Sequence, residues 1–541
     1  MKPETEKTDI LSAEAWKNRL DLRRSHGVEP WSEAELDELC AFNEEACGDG
    51  KLPEALGDNT DALGNTETLV VITGQQAGLF LSPLYTLYKA VAAIKWAEHL
   101  GTTLGRRVIP AFWIASEDHD FEEIQSACYL TRKGDVADWQ YDYDHPAGQS
   151  VFDIPADDEK LAEYLDLLDE RTHPSEFKEV LLGEWREMIA ASENLENFFA
   201  RGMMRLLGEY GLVLVSSRLE ALRRRGAGIL RREIEKAGAA TQALIATAEK
   251  RKAEGRPTPI HRNADDVNFF VYRNGRRCKV VRQDDAFAIL NPESNEPIET
   301  MSANALLREL DESPAHFSPN VATRPLIQDA ALPVIAMVGG PGEQAYVDML
   351  IEAGLPELYE TCPNHVLHRP RALLVEPRVE RQLEKYDISE SILEQEDWDG
   401  LEENFERHGD YGEALEAMDS LKESQKQAFD RFAQKIGSLA ETPEIKSAIK
   451  KTFGSEQKSL GKLEGRLRQV IKREQDNAGL HRDRIMQSLR PKGHPQERTL
   501  GPLSPFLLNY GNAFVDFVVE ELEIEPRHVQ ILMLSQIGEK A

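Results

Sequence analysis

The sequence predicts an α/β protein: a doubly wound parallel sheet with large insertions, followed by a long helical hairpin. Three observations lead there. Short apolar runs recur without alternation, as strands buried on both faces require. Two of these runs bracket a helical stretch within about 45 residues, the span of a βαβ unit. From about residue 378 the pattern changes to apolar positions three and four apart, the spacing of helix seams.

The elements follow in order. Residues 1–60 are charged and helical in pattern, with Ser32 placed to cap a helix that begins at Glu33. Leu69–Ile72 is the first buried strand and ends in Thr73-Gly74. A helix from about Pro83 to Leu100 leads to the second strand, Val108–Ala115. Further strand candidates are Leu212–Val215, Pro333–Val338 and Leu373–Val375. Asn268–Tyr272 and Arg276–Val281 flank Asn274-Gly275, a turn pair suited to positive φ at both positions, which predicts a small antiparallel piece at about 265–295.

In the helical region Phe429, Phe432, Ile436 and Leu439 form one seam, and Leu460, Leu463, Leu467 and Val470 another. Thr442-Pro443-Glu444 between them reads as an N-cap with proline at the first helical position. The first arm would reach on the order of 40 Å. Its seam is larger than one hairpin covers, so the hairpin is expected to dimerise. The expected division is a core over 1–380, with inserted subdomains at about 130–210 and 220–330. A coiled coil over 381–490 follows, and then a segment over 491–541 that returns to the core and carries the strand-like Val529–Leu534.

A chain of 541 residues is too long for one simple core. Its formal charge of −31, spread along the chain, argues against a nucleic-acid partner, which calls for a basic patch. Arg223, Arg224 and Arg225 with Arg231 and Arg232 are the nearest candidate, and the acids beside them read as a solvated helix face. Five scattered cysteines form no CxxC pair and no zinc spacing. The polar start Met1-Lys2-Pro3-Glu4 has no apolar signal core, and no apolar run reaches the roughly 20 residues of a membrane span. A cytoplasmic enzyme with no membrane partner is the expectation.

Three polar clusters follow predicted strands, where open parallel sheets bind ligands. Ser116-Glu117-Asp118-His119-Asp120 could supply a base, hold a substrate ammonium or bind a divalent metal. Its plain structural reading is a helix start decorated with acids. Thr73-Gly74-Gln75-Gln76-Ala77-Gly78 could let a backbone approach an anion at a helix start, or be only a tight turn; Lys89 further on could reach a phosphate. Gly339-Gly340-Pro341-Gly342-Glu343 builds a third loop, with Asn320, Arg324 and Gln328 upstream, and an arginine there suits a carboxylate. Cys128 and Cys362 read as small core residues, and His365 and His368 give little reason for a metal site.

These motifs resemble one family. Thr73–Phe80, Pro83–Ala90 and Phe112–Phe121 look like the corresponding stretches of the bacillithiol cysteine-adding enzymes. So do Arg324-Pro325-Leu326 with Gln328, Gly339–Glu343 with Ala345-Tyr346, and Pro495–Arg498, together spanning about 65 to 515. The resemblance implies a Rossmann-like core similar to class I aminoacyl-tRNA synthetases, with connective-peptide insertions and a coiled coil that forms a homodimer. The implied reaction is that of a ligase joining cysteine to the glucosamine amine of glucosaminyl malate, with carboxyl activation by ATP. The His-x-Gly-His and Lys-Met-Ser-Lys-Ser signatures of those synthetases are absent, and Thr73–Gly78 stands where the first would lie.

On that basis Glu117, Asp118 or Asp120 would bind the cysteine ammonium or deprotonate the acceptor, with His119 as acid or base. Thr73, Gln75 and Gln76 would hold an anionic end, with Glu343 and Arg324 on the opposite wall and Arg324 toward malate. Gly74, Gly78, Lys89, Gly340 and Gly342 would seat ATP or ADP, magnesium accompanying the nucleotide and zinc having no place. Two rivals stand beside this reading: a coiled-coil scaffold or sensor that binds nucleotide, and a ligase or nucleotidylyltransferase for another amine acceptor.

Overall fold

The computed structural model describes residues 12–48, 50–395, 398–409, 411–525 and 528–538. The start Met1–Glu4 lies outside them. The chain forms two compact units, one built from residues up to Leu373 together with His494–Leu532, the other from Leu374–Gly493 with Met533–Ser535.

The first unit is organised by a five-stranded, all-parallel sheet. Its strands lie in the order Val366–His368, Val334–Gly339, Leu69–Gln75, Val108–Ile114, Val213–Ser216. The chain starts at the middle strand, moves outward on one side, then crosses over to the other. The order therefore reverses between Leu69–Gln75 and Val334–Gly339, and the crevice beyond those two strand ends is the topological switch point of a doubly wound sheet. The fully buried Val108–Ile114 and Val334–Gly339 strands explain their unbroken apolar sequences. On one face the helices Ala13–Ser25 and Tyr85–Leu104 bring Trp16, Leu20, Ala92, Ala93, Trp96 and Leu100 onto Leu69, Val71 and Val338. Ser32 caps Glu33–Cys47 as expected, its backbone N–H donating to the Glu35 carboxylate at 2.8 Å.

Several expectations are corrected. Ala372–Val375 is a strand but not part of the parallel sheet: it joins Gln530–Met533 in a separate two-stranded sheet, and Val366–His368 takes the edge position. The antiparallel piece is larger than 265–295. Around the Asn274-Gly275 turn, whose φ values are 52° and 71°, five strands assemble from Asp266 to Pro319. The arginines of the Glu220–Glu235 helix are not a freely solvated face. Arg223 is buried and donates to the Phe317 carbonyl at 2.6 Å, Arg225 pairs with Glu35 at 2.8 Å, and Arg231 and Arg232 meet Asp311 and Glu360.

The second unit is helical. Gly412–Ile436 and Pro443–Leu489 form its two long arms, with Thr442 at the N-cap and Pro443 leading the second. The predicted seams split. Phe429, Ile436, Leu460 and Leu467 are half-buried, and Phe429 meets Phe453 edge-on at 5.2 Å. Phe432, Leu439, Leu463 and Val470 are 52%, 61%, 51% and 46% exposed. Within each heptad one apolar position faces the other arm and the next faces outward. Among the described residues no helix is long and apolar enough to cross a membrane.

Candidate functional site

The cleft at the switch point has a volume of about 420 Å³ and is lined from three strand ends by Gln75, Gln76, Asp118, Arg324, Gly340 and Glu343, among others. Local structure here departs from a phosphate loop. The first strand continues through Gln75, and the next helix starts only at Tyr85, after a short 3-10 turn at Leu79–Leu81. The glycines serve packing. A Cβ at Gly74 would come within 2.8 Å of the Trp113 carbonyl oxygen, and one at Gly78 would overlap the Ser82 carbonyl. Gly78 does not line the cleft. Gly342 does, and has open space around it.

Lys89 is buried and its three donors are all used: on the Gly74 carbonyl at 3.1 Å, on Gln75 Oε1 at 2.9 Å and on the Glu343 carboxylate. Burial pulls its ammonium below the usual lysine range against the opposing pull of Glu343. Glu343 is equally engaged, since its other oxygen accepts the Gly340 N–H at 2.6 Å and so caps the Pro341–Glu352 helix. Thr73 donates its hydroxyl to the Val338 carbonyl at 2.9 Å, tying two strands together. Lys89, Glu343 and Thr73 therefore build the wall. Lys89 thus has its donors occupied within the protein, and a Cβ at Gly74 or Gly78 would meet protein backbone.

Other groups remain available. Gln76 is buried with its Oε1 unpartnered among the described residues, and it lines the cleft. The Arg324 guanidinium lines the cleft with no ion pair or side-chain hydrogen bond among the described residues. Burial would lower it, but the fields of Glu117, Tyr346 and Asp118 keep it above the ordinary arginine value. Arg369, which lines the cleft with Arg498, is held in a buried ion pair with Glu497 at 2.8 Å.

The acid cluster after the second strand divides. No helix follows it, only the 3-10 turn Phe121–Glu123, so the acids are not a decorated helix start. Glu117 is 1% exposed, lines neither this cleft nor the chamber beside it, and has neither carboxylate oxygen hydrogen-bonded among the described residues. Its field acts on the buried guanidiniums of Arg324 and Arg277. Asp120 is exposed and lines neither of the two chambers. Asp118 does face the cleft. Burial alone would raise its carboxyl, yet Arg277, Arg324 and the His119 N–H hold it below the usual carboxylate range. An acid kept ionised in this way suits an ammonium better than a proton.

His119 faces a second chamber, of about 660 Å³, which shares Asp118 and Arg324 with the first. Its Nδ1 lies 3.0 Å from Arg277 Nη1. A guanidinium only donates, so Nδ1 must accept and the neutral ring carries its proton on Nε2. Burial and Arg277 both push the imidazolium below the usual histidine range. A second proton would have to sit on Nδ1, facing a cation, so His119 is a poor base and a good neutral donor.

Glu123 was not singled out from the sequence. It lines the cleft mouth, within 3.3 Å of Gln75 Nε2, and burial together with Asp120 and Asp118 pushes its carboxyl above the usual range. Arg277 was missed as well, because it arrives from the inserted sheet some 160 residues downstream, and nothing near His119 in sequence announces it. Among the described residues no group of three or more His, Cys, Asp or Glu is placed to hold a metal ion. His365 packs edge-on against Trp16 at 5.3 Å, a core position.

Two family models match this chain: the N-terminal Rossmann-like domain of bacillithiol biosynthesis BshC over residues 7–353, and the C-terminal coiled-coil domain of the same family over 372–534. A Shouchella clausii protein named a candidate cysteine ligase, BshC, is 30% identical over 532 residues, covering 96% of this chain and 94% of that protein. Proteins of the same name from Salinibacter ruber and Heliobacterium modesticaldum are 30% and 31% identical, covering 89% and 86% of this chain and 86% and 83% of their own lengths. With both its sheet core and its helical arms matched in order, the chain belongs to the BshC family of bacillithiol biosynthesis.

Proposed function

We propose that this chain is a cysteine ligase that joins the carboxyl group of L-cysteine to the glucosamine amine of glucosaminyl malate, forming bacillithiol. The observation that carries the reading is the gathering of opposite polar groups in one cleft. The Arg324 guanidinium makes no ion pair or side-chain hydrogen bond among the described residues, Glu117 and Asp118 acting on it only through their fields, and Asp118 and Gln76 line the same space. Arg324 suits the amino-acid carboxylate, and Asp118 with Gln76 suits its ammonium. A cleft of about 420 Å³ has room for cysteine and the sugar amine together.

In the reaction a C–N bond forms between the cysteine carbonyl carbon and the sugar nitrogen. One carboxyl C–O bond breaks, its oxygen leaving with the group that activates the carboxyl, and the amine loses a proton, which Glu123 in the same cleft can accept. A free carboxylate does not undergo this exchange at neutral pH, so the carboxyl needs activation. ATP is the expected source. Purified protein incubated with cysteine and glucosaminyl malate, with and without ATP and magnesium, decides the matter by mass spectrometry. Bacillithiol in any arm supports the ligase, and its restriction to the ATP arm establishes activation by nucleotide. Absence from every arm sinks the reading.

The outward apolar stripe supports a second part of the proposal, that two copies pair through their helical arms. Phe432 and Leu439 recur seven apart, as do Leu463 and Val470, the period at which a further helix is seated.

A further inference from the structure

The larger of the two chambers has a character opposite to that of the chain. In a protein of formal charge −31, its wall carries Arg262, Arg277, Lys279 and Arg324 against only Asp118 and Asp266, with three histidines besides. Four cations less two acids leaves an excess of two positive charges. Internal pairing uses part of this wall. Lys279 holds Asp266 at 2.6 Å, and Arg277 approaches Asp118 at 3.4 Å. What remains is Arg324, Arg262 and His119. Arg262 donates Nε to Asn268 Oδ1 and Nη1 to the His261 carbonyl, both at 2.9 Å, while its Nη2 is buried without a partner among the described residues. A buried donor left unmade is costly, and a ligand acceptor would remove that cost.

We propose that this chamber is the seat of a dicarboxylate, held by Arg262 and the Nε2–H of His119, with Arg324 at its border toward the cysteine cleft. The inference rests on the ligase reading and deepens it, because the ligand would be the malate end of the acceptor. Arg324 and Asp118 line both chambers, so an acceptor anchored here by its carboxylates can extend its amine past them into the cysteine cleft.

Arg277 is the positioning residue of this seat. Its side chain is 4% exposed and lies 3.9 Å from the Phe270 ring centroid, with Nε on Ser318 Oγ at 2.8 Å and Nη2 on the Pro319 carbonyl. So fixed, it allows His119 only the tautomer that donates from Nε2. The other groups around the ring are Asp118, Asp120, His145 and the edge of Phe270.

The probes are L-malate by titration calorimetry and glucosaminyl malate by steady-state kinetics, applied to the full chain. The wild type is expected to bind malate, and Arg262→Gln to weaken it by about tenfold or more, the scale of one charge-assisted hydrogen bond. His119→Ala should weaken it similarly. His119→Gln, whose amide nitrogen replaces Nε2–H, should recover most of the loss. In turnover Arg262→Gln should raise the acceptor KM and leave the KM for cysteine unchanged. Malate affinity and acceptor KM unaffected in both Arg262→Gln and His119→Ala, in protein with wild-type circular dichroism, would overturn the seat while leaving the ligase intact. Malate binding that responds to these substitutions, in a protein that makes no bacillithiol, would retain the seat and remove the ligase.

Discussion

At the scale of single residues, the polar clusters separate according to what each group is already bonded to. Lys89, Glu343 and Thr73 are spent on one another and on the backbone, whereas Gln76, Arg324 and Asp118 face open space. Glu123 is the carboxyl whose environment favours taking up a proton. As the base it must be ionised, so kcat should rise as pH climbs through its raised pKa. Glu123→Gln should lower kcat by about 10²- to 10⁴-fold, the usual scale of general-base catalysis, and abolish that acid limb, read from a pH–rate profile.

His365 gives a stability prediction of defined sign. Burial against Trp16, then Arg19, lowers its pKa to about 4, whereas an unfolded histidine titrates near 6.5. Between those values the unfolded chain binds the extra proton, so His365 stabilises fully above about 6.5 and its contribution is lost as pH falls toward 4. The loss amounts to about 3 kcal/mol. Denaturant melts at pH 7.5 and 4.5 should show His365→Gln with a smaller drop than the wild type.

At the scale of elements, the turn between the first strand and the Tyr85–Leu104 helix is set by packing. Gly78→Ala forces a methyl against the Ser82 carbonyl, within the backbone itself, and should destabilise by about 3 kcal/mol or more or prevent soluble expression. Gly342→Ala meets no atom within 4 Å and lies in the first turn of a helix, so its melting point should equal or exceed that of the wild type. Thermal melts of the two variants separate a structural glycine from one that only lines the cleft. Legibility at this scale was uneven for a physical reason. The Leu69, Val108, Val213 and Val334 strands announced themselves because burial on both faces demands unbroken apolar sequence. Ala372–Val375 carries the same signal, yet pairs elsewhere, since apolarity specifies burial and not a partner.

At the scale of the whole molecule, the arms of the helical unit leave half of each apolar seam uncovered. Pairing of two copies predicts that Phe432→Glu with Leu463→Glu shifts the mass measured by light scattering from dimer to monomer. Helicity by circular dichroism should stay within a few per cent, because both side chains point outward. A wild type that is already monomeric would remove the pairing.

The βαβ start, the Asn274-Gly275 hairpin, the long helices and the three strand-end clusters are all written into the order of residues. These rest on local periodicity and turn chemistry, which act over a few residues. Which members of those clusters are engaged depends on the folded chain. Glu117 is enclosed, Lys89 is consumed by Gly74, Gln75 and Glu343, and His119 is held in one tautomer by an arginine from another sheet. Hydrogen-bond partners and burial are set by contacts far apart in the chain, and a charge takes its chemical role from those contacts.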